Sequence, residues 1–427
     1  MIKKILTYHK EDSLVRDGFI LFTATILANA AAYVYHFYMG RVLGPADYSV
    51  LGVILSLLYL INVPVNVIQM TITKFVAQYN ITKKKDVIHL LYQRSLHRLF
   101  FVGCIIFLLF LAVSYPLAHF LYIPITALLV FSPIVIFALL LPVTRGLLQG
   151  LQSFKKLGVN MVLESFSKLL IGVILVFLGF HINGAISGLV LSFALAFFVL
   201  YYNFRPSLVH SRKTMHDFQT KEVYKYATPV FISLFALTLF YSIDVILVKH
   251  YFSELQTGYY AAASLIGKII FFGTYSLGVV MFPKVAEMHT LQKDNKHLLS
   301  KSLAFMAAGA GVLLLVYFLF PRFIILPLFG MSYLPILPLI GPFGVMMTFF
   351  SFNYLLSLYN LSIQRTRFIR ILFVFNLLEI LFLTFYHTSL LQIVWGLSFL
   401  MIALFILLFT YTYHNHATKT HDHHSRV

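Results

Sequence analysis

Apolar residues run in long unbroken blocks along this chain, and polar residues gather between the blocks rather than alternating with them. A block of about 20 apolar residues is what a membrane-crossing helix requires. Twelve such helices are predicted, at roughly 18–39, 49–79, 99–121, 124–151, 157–180, 184–204, 226–250, 256–287, 299–320, 334–360, 368–387 and 389–413. The longest polar interruption, 205–222, carries Ser211, Arg212, Lys213, His216 and Asp217 and divides the helices six and six. The expected organisation is a first lobe over 1–204, a cytoplasmic linker over 205–222, a second lobe over 223–413 and a polar tail over 414–427 with His421, His423 and His424. The first block follows Lys3, Lys4, Lys10 and Arg16, and Ala28-Asn29-Ala30 imitates a signal-cleavage site. The block continues to Met39, too long for a signal peptide, so an uncleaved first helix is expected.

Composition agrees. Of 427 residues, 60% are hydrophobic and only 11% charged, which excludes an ordinary soluble enzyme or a disordered chain. The formal charge of +18 would suggest nucleic acid in a soluble protein, but its placement says otherwise. With the N-terminus inside, 27 of the 32 Lys and Arg fall on inner segments. Arg41, Lys249 and Arg322 fall outside, and Lys168 and Lys268 within helices. Such asymmetry orients a multi-pass protein with both termini cytoplasmic, the plasma membrane as its location and anionic lipid headgroups, not nucleic acid, as the partner of the charge. A single cysteine, Cys104, excludes an intrachain disulfide. Shifting the chain by 210 residues sets Lys74 on Lys284 and Lys155 on Arg365, as two parallel repeats would. The fold class expected is all-α and polytopic: two pseudo-symmetric six-helix lobes around a central cavity.

Polar stripes inside the blocks mark helices that face protein or water rather than lipid. The first helix carries Thr25, Asn29 and His36; the second Asn62, Asn66, Gln69 and Thr73; the seventh Thr238, Tyr241, Ser242 and Asp244; the eighth Tyr260, Ser264, Lys268 and Tyr275. Cavity lining is the sharper reading, and interhelical hydrogen bonding the plainer one. Lys168 follows Glu164 by four residues, the spacing of a helical ion pair. Lys268 has no acid on its own helix at that spacing and is a candidate contact for an anionic substrate. Asp244, with Asn376 and Glu379 one turn apart on the eleventh helix, offers oxygen ligands for a coupling ion, Na+ or H+. A salt bridge between Asp244 and Lys268 is the alternative for those charges. Outer loops are short, with no Ser/His/Asp set, and no GK[ST] phosphate loop is present, so neither an enzyme nor a nucleotide-driven pump is expected. Pro64, Pro133, Pro142, Pro283, Pro338 and Pro342 permit bends within the helices.

Three segments carry a family resemblance. Gly40-Arg41-Val42-Leu43-Gly44-Pro45-Ala46-Asp47-Tyr48 resembles a "G-R-x-L-G-P-x-[DE]-[YF]" signature. Arg145-Gly146-Leu147-Leu148-Gln149-Gly150 with Phe154-Lys155-Lys156 is similar to an "R-G-x-x-Q-G-x-x-x-[FY]" pattern. Asp244, then Gly258-Tyr259-Tyr260-Ala261-Ala262-Ala263 and Phe282-Pro283-Lys284, looks like "D-x-x-x-L…G-x-Y-x-x-A…P-x". These belong to polysaccharide biosynthesis proteins, the lipid-linked oligosaccharide flippases of the multidrug/oligosaccharidyl-lipid/polysaccharide exporter superfamily. The resemblance implies a two-lobed transporter whose first, second, seventh and eighth helices flank the cavity. It also implies cations that hold the carrier's pyrophosphate: Lys268 and Arg41, with Arg145 at the inner mouth. Asn62, Asn66, Gln69 and Asn29 are then expected at the sugar, and glycan polymerase or glycosyltransferase machinery as partners. The first helix lacks the Lys or Arg of more basic relatives, which speaks against a peptidoglycan-precursor flippase. The rival reading on the same fold is a cation-coupled exporter of organic cations; a membrane glycan ligase or polymerase would need a large outer loop that is absent.

Overall fold

The computed structural model describes residues 2–204, 220–293 and 295–424, with side chains described for 19–203 and 228–414 except at 279, 283, 290 and 294. Residues 205–219 of the expected linker, Ser211, Arg212, Lys213, His216 and Asp217 among them, lie outside the described residues. So do the side chains of Lys3, Lys4, Lys10, Arg16, Pro283, His421, His423 and His424.

Every described element is helical. In chain order these are α1 (Ile2–Ile81), α2 (Lys85–Leu121), α3 (Ile125–Phe131), α4 (Ile134–Gly150), α5 (Phe154–Leu175), α6 (His181–Phe204), α7 (Thr220–Leu239), α8 (Ile243–Tyr251), α9 (Glu254–Thr290), α10 (Lys296–Leu319), α11 (Pro321–Leu328), α12 (Leu337–Ser362), α13 (Phe368–Phe385) and α14 (Leu390–His424). Among the described residues ten helical stretches are long and apolar enough to cross a membrane. Two of the ten are double-length: Phe19–Ile81 with 63 residues and Phe154–Asn203 with 50. A helix rises about 1.5 Å per residue against a hydrocarbon core of about 30 Å, so each provides two crossings and the total is the expected twelve.

Each double-length stretch is broken where glycine permits it. Gly44 takes φ 74°, ψ 173°, and Gly179 takes φ 90°. No atom lies within 4 Å of where a Cβ would stand at either, so the requirement for glycine is the left-handed backbone and not space. Pro45 follows Gly44 and removes an amide donor, completing the break.

The chain forms two compact units: Met1–Leu43 with Leu57–Thr228, and Gly44–Ser56 with Pro229–Val427. They do not follow chain order as the lobes 1–204 and 223–413 do. Gly44–Ser56, the start of the second crossing, groups with the second unit, and small residues explain why. A Cβ on Gly258 would stand 1.7 Å from the Pro45 carbonyl oxygen, and one on Gly52 would stand 2.6 Å from Ala261 Cβ. Backbone therefore meets backbone where α9 begins, a contact only Gly and Ala allow. The two quoted motifs that contain Gly44-Pro45 and Gly258…Ala261 are the two sides of this contact. Lys249, 1% exposed, reinforces it: Nζ donates to Ser49 Oγ at 3.0 Å and pairs with Glu254 Oε1 at 3.7 Å. Tyr48 packs edge-on against Tyr333 and Phe329 in the same place.

In the first unit, the end of α1, the start of α2 and the second half of α4 enclose a core of Ile72, Phe75, Val76, Ile88, Leu91 and Leu147. Here the Arg145–Gly150 motif does its packing. A Cβ on Gly146 would lie 2.8 Å from the Gln69 carbonyl oxygen, and one on Gly150 would lie 2.6 Å from Val76 Cβ. Between the glycines Gln149 Oε1 accepts hydrogen bonds from Gln69 Nε2 (3.0 Å) and Thr73 Oγ1 (3.3 Å).

Candidate functional site

The seventh crossing is discontinuous. α7 stops at Leu239 and α8 starts at Ile243, with a turn at Phe240–Ser242 between them. Asp244 occupies the first turn of α8, where unpaired amides favour a carboxylate. It is fully buried, and its Oδ2 accepts a hydrogen bond from Tyr260 Oη of α9 at 2.9 Å. Two turns along α9 lies Lys268, 4% exposed, whose charge acts on Asp244 and whose Nζ stands 5.6 Å from the Tyr241 ring centroid. α13 packs on α8 and adds Asn376 and Glu379, 3% and 0% exposed. Asn376 Nδ2 donates to the Ala236 carbonyl at 3.0 Å, which turns its own oxygen free, and the Asp244 charge acts on Glu379.

The result is a buried cluster of two carboxylates and one ammonium with acceptors to spare. Asp244 Oδ1, Asn376 Oδ1, both Glu379 oxygens and the hydroxyls of Ser242 and Ser264 have no hydrogen-bond partner among the described residues. Buried acceptors without donors are costly. With all three side chains ionised the cluster carries one surplus negative charge, so a single positive charge balances it. That suits a proton or a monovalent ion. A calcium-type site needs six to eight oxygen ligands, and among the described residues no three His, Cys, Asp or Glu come together.

Beside the cluster, Tyr241, Phe271, Tyr275, Phe350 and Tyr354 form a continuous set of rings with centroids 4.9–5.8 Å apart. Tyr275 is 40% exposed, while Tyr260, Ser264 and Lys268 of its expected stripe are buried. The stripe of α9 therefore faces protein over most of its length in this conformation.

In the first unit, Asn29, Asn66 and Arg41 are exposed and Asn62 is half-buried. Gln69 is taken up by Gln149, the interhelical alternative for its stripe. Arg145 is held by Glu164 (Nη2 to Oε2, 2.6 Å) and by Asn160 Oδ1 (Nε, 2.8 Å), and Asn160 in turn donates to the Ala196 carbonyl. The ion pair expected between Glu164 and Lys168 is thus replaced: Glu164 turns to α4, and Lys168 Nζ stands 5.2 Å from the Tyr35 ring centroid. A guanidinium presents several donors in one plane and satisfies both acceptors together, which an ammonium cannot. A double-mutant cycle checks this. Arg145→Ala and Glu164→Ala are each expected to lower the thermal unfolding midpoint, corresponding to about 1–3 kcal/mol. The double variant should fall well short of their sum; strict additivity would mean the pair is not formed.

Lys249 with Ser49, and Tyr260 with Asp244, carry no sequence signal of partnership: one pair is separated by 200 residues and the other crosses from one helix to the next.

The family described as polysaccharide biosynthesis protein matches residues 14–289. An uncharacterized membrane protein of Methanocaldococcus jannaschii is 22% identical over 298 residues, 65% of this chain and 69% of that one. Among solved structures, an inward-facing multidrug resistance MATE family transporter of the MOP superfamily is similar with a TM-score of 0.72 at 15% identity, covering 90% of this chain and 94% of that one. An outward-facing structure of a transporter so described gives 0.69 at 14% identity, covering 95% of each. A MOP superfamily transporter from Pyrococcus furiosus, described as having a binding pocket of reverse polarity that suggests a different function, gives 0.65 at 14%, covering 92% of each. These likenesses show a common fold, all-α and multi-span.

Proposed function

The chain belongs to the polysaccharide biosynthesis protein family, and on that premise we propose that it moves a lipid-linked oligosaccharide, joined to its carrier through pyrophosphate, from the cytoplasmic to the outer leaflet of the plasma membrane. Transport proceeds by alternating access, with Na+ or H+ as the coupling ion. The carrying observation is the buried cluster of Lys268, Asp244 and Glu379 beside the break in the seventh crossing, with its unpartnered oxygens.

The cluster supports a coupling rule. While Asp244 lacks a cation, its charge holds the Lys268 ammonium. A proton or Na+ taken up by Asp244, Asn376 and Glu379 weakens that attraction. Lys268 is then available to a phosphate, and the nearby ring set offers apolar faces on which sugar C–H groups can stack. Arg41, Asn29, Asn62 and Asn66 of the first unit are the further candidates for phosphate and hydroxyl contacts. Arg145 and Gln69 serve the packing of the first unit. The substrate implies glycosyltransferases that make it and a polymerase that consumes it as functional partners.

The second reading is a cation-coupled exporter of organic cations, favoured by the surplus negative charge and the rings of the second unit. The fold does not choose, since it carries pockets described as of opposite polarity. Proteoliposomes choose. A fluorescent pyrophosphate-linked oligosaccharide lipid is expected to reach the outer leaflet faster with an imposed Na+ or H+ gradient, and Asp244→Asn or Glu379→Gln is expected to remove the gradient dependence. Gradient-driven efflux of ethidium, with no movement of the glycolipid, would establish the second reading instead.

A further inference from the structure

The first unit carries a groove of about 580 Å³ that neither the charge cluster nor the motifs use. Its walls come from α2, α4 and α6: Phe100, Phe137, Leu140, Phe197 and Phe198 are apolar, and Gln93, His97 and Tyr201 form one polar end. Gln93 and His97 continue into a second depression completed by Arg94 and Arg98. Among the described residues no Asp or Glu lines either space.

Helix register orders these residues. Arg94 and Arg98 lie toward the start of α2, close to Lys83, Lys84 and Lys85, and Tyr201 lies one turn from the end of α6. From Arg94 to Phe100 the helix rises about 9 Å, which carries the groove from headgroup level into a leaflet whose hydrocarbon is about 15 Å deep. One wall is rigid aromatic surface. Phe137 meets Phe198 at 5.7 Å and Phe197 at 6.3 Å, and Phe197 stacks on Tyr201 at 5.7 Å. The space therefore has a cationic head, an amphipathic collar and an apolar shaft, in the order of an anionic amphiphile entering from the leaflet.

We propose that this groove is a binding site for an anionic phospholipid: its phosphate lies on the Arg94 and Arg98 guanidinium groups and its acyl chain lies against Phe137, Phe197 and Phe198. Guanidinium pairs bind phosphate oxygens in two-point fashion, and basic sites between membrane helices select anionic headgroups. The volume lies within the range of formed ligand sites, about 300–1,000 Å³. The site is independent of the transport reading, because no residue of the charge cluster contributes to it.

The sole tryptophan, Trp395, lies in the second unit, which permits a clean reporter. The full chain with Trp395→Phe and Phe198→Trp is reconstituted into phosphatidylcholine vesicles containing increasing fractions of brominated lipid. Brominated phosphatidylglycerol is expected to half-quench Trp fluorescence at about fivefold lower mole fraction than brominated phosphatidylcholine, the preference a single surface cation supplies. Arg94→Gln with Arg98→Gln should abolish that preference, and Lys155→Gln with Lys156→Gln should leave it. Equal quenching by the two lipids, survival of the preference in the double arginine variant, or displacement of phosphatidylglycerol by a polyprenyl pyrophosphate lipid would each overturn the proposal. Should the reporter fail to fold, the unsubstituted protein gives the same answer by thermal unfolding. Phosphatidylglycerol is expected to raise its midpoint more than phosphatidylcholine does, and equal shifts would overturn the assignment.

Discussion

Lys268→Ala is expected to reduce glycolipid transport to background and to lower stability by about 3–5 kcal/mol, the cost of stranding a buried charge. Lys268 is 4% exposed and its charge acts on Asp244, whose own charge acts in turn on Glu379. Removing it strips the Asp244 carboxylate of that ammonium in a buried site. Lys268→Ala combined with Asp244→Ala separates the two roles. The double variant removes both partners of the Lys268–Asp244 attraction, so its unfolding midpoint should recover most of the loss. Transport should not recover, because the cluster then holds no cation to meet the phosphate. A stable double variant that moves the glycolipid at the parental rate would remove Lys268 from the substrate path and leave it a structural charge.

The second large effect belongs to Gly258. Its missing Cβ would stand 1.7 Å from the Pro45 carbonyl oxygen, and a backbone atom cannot swing aside as a flexible side chain can. Overpacking ordinarily costs about 1–3 kcal/mol when neighbours relax; here either α9 must leave or residues 44–56 must peel off the second unit. Gly258→Val is expected to yield no monodisperse protein on size-exclusion chromatography, and Gly258→Ala a protein with a strongly lowered unfolding midpoint. Gly273 on the same helix is the control. Nothing lies within 4 Å of its Cβ position, so Gly273→Ala should be neutral or add up to about 1 kcal/mol from helix propensity. Parental melting of Gly258→Ala would show that the close approach is absent.

Both effects were partly legible in the chain. Asn376 and Glu379 are three residues apart in an apolar helix, which puts them on one face wherever that helix packs, and both are buried. Lys268 and Asp244 were marked by charge inside apolar runs. The motif glycines were visible as motifs, but their purpose was not: Gly146 and Gly150 admit α1, and Gly258 admits Pro45. Charge partners were the least legible. The local spacing of Glu164 and Lys168 satisfies helix geometry, yet Arg145 arrives from another helix with two donors and takes the carboxylate. Lys249 counts as one of few outer cations and ends buried against Ser49 and Glu254.

By itself the sequence determined the number and placement of membrane helices and the clustering of positive charge, because burying a peptide group in lipid forces helix formation and that cost is local. Where two helices meet it had less authority. Lipid tails are as apolar as leucine, so apolar pattern does not choose partners between crossings. Absent side chains at Gly146 and Gly258, and donors seeking acceptors at Gln69, Arg145, Tyr260 and Lys249, made those choices. They act only once segments distant in the chain are brought within contact, which is why the tertiary structure alone decided them.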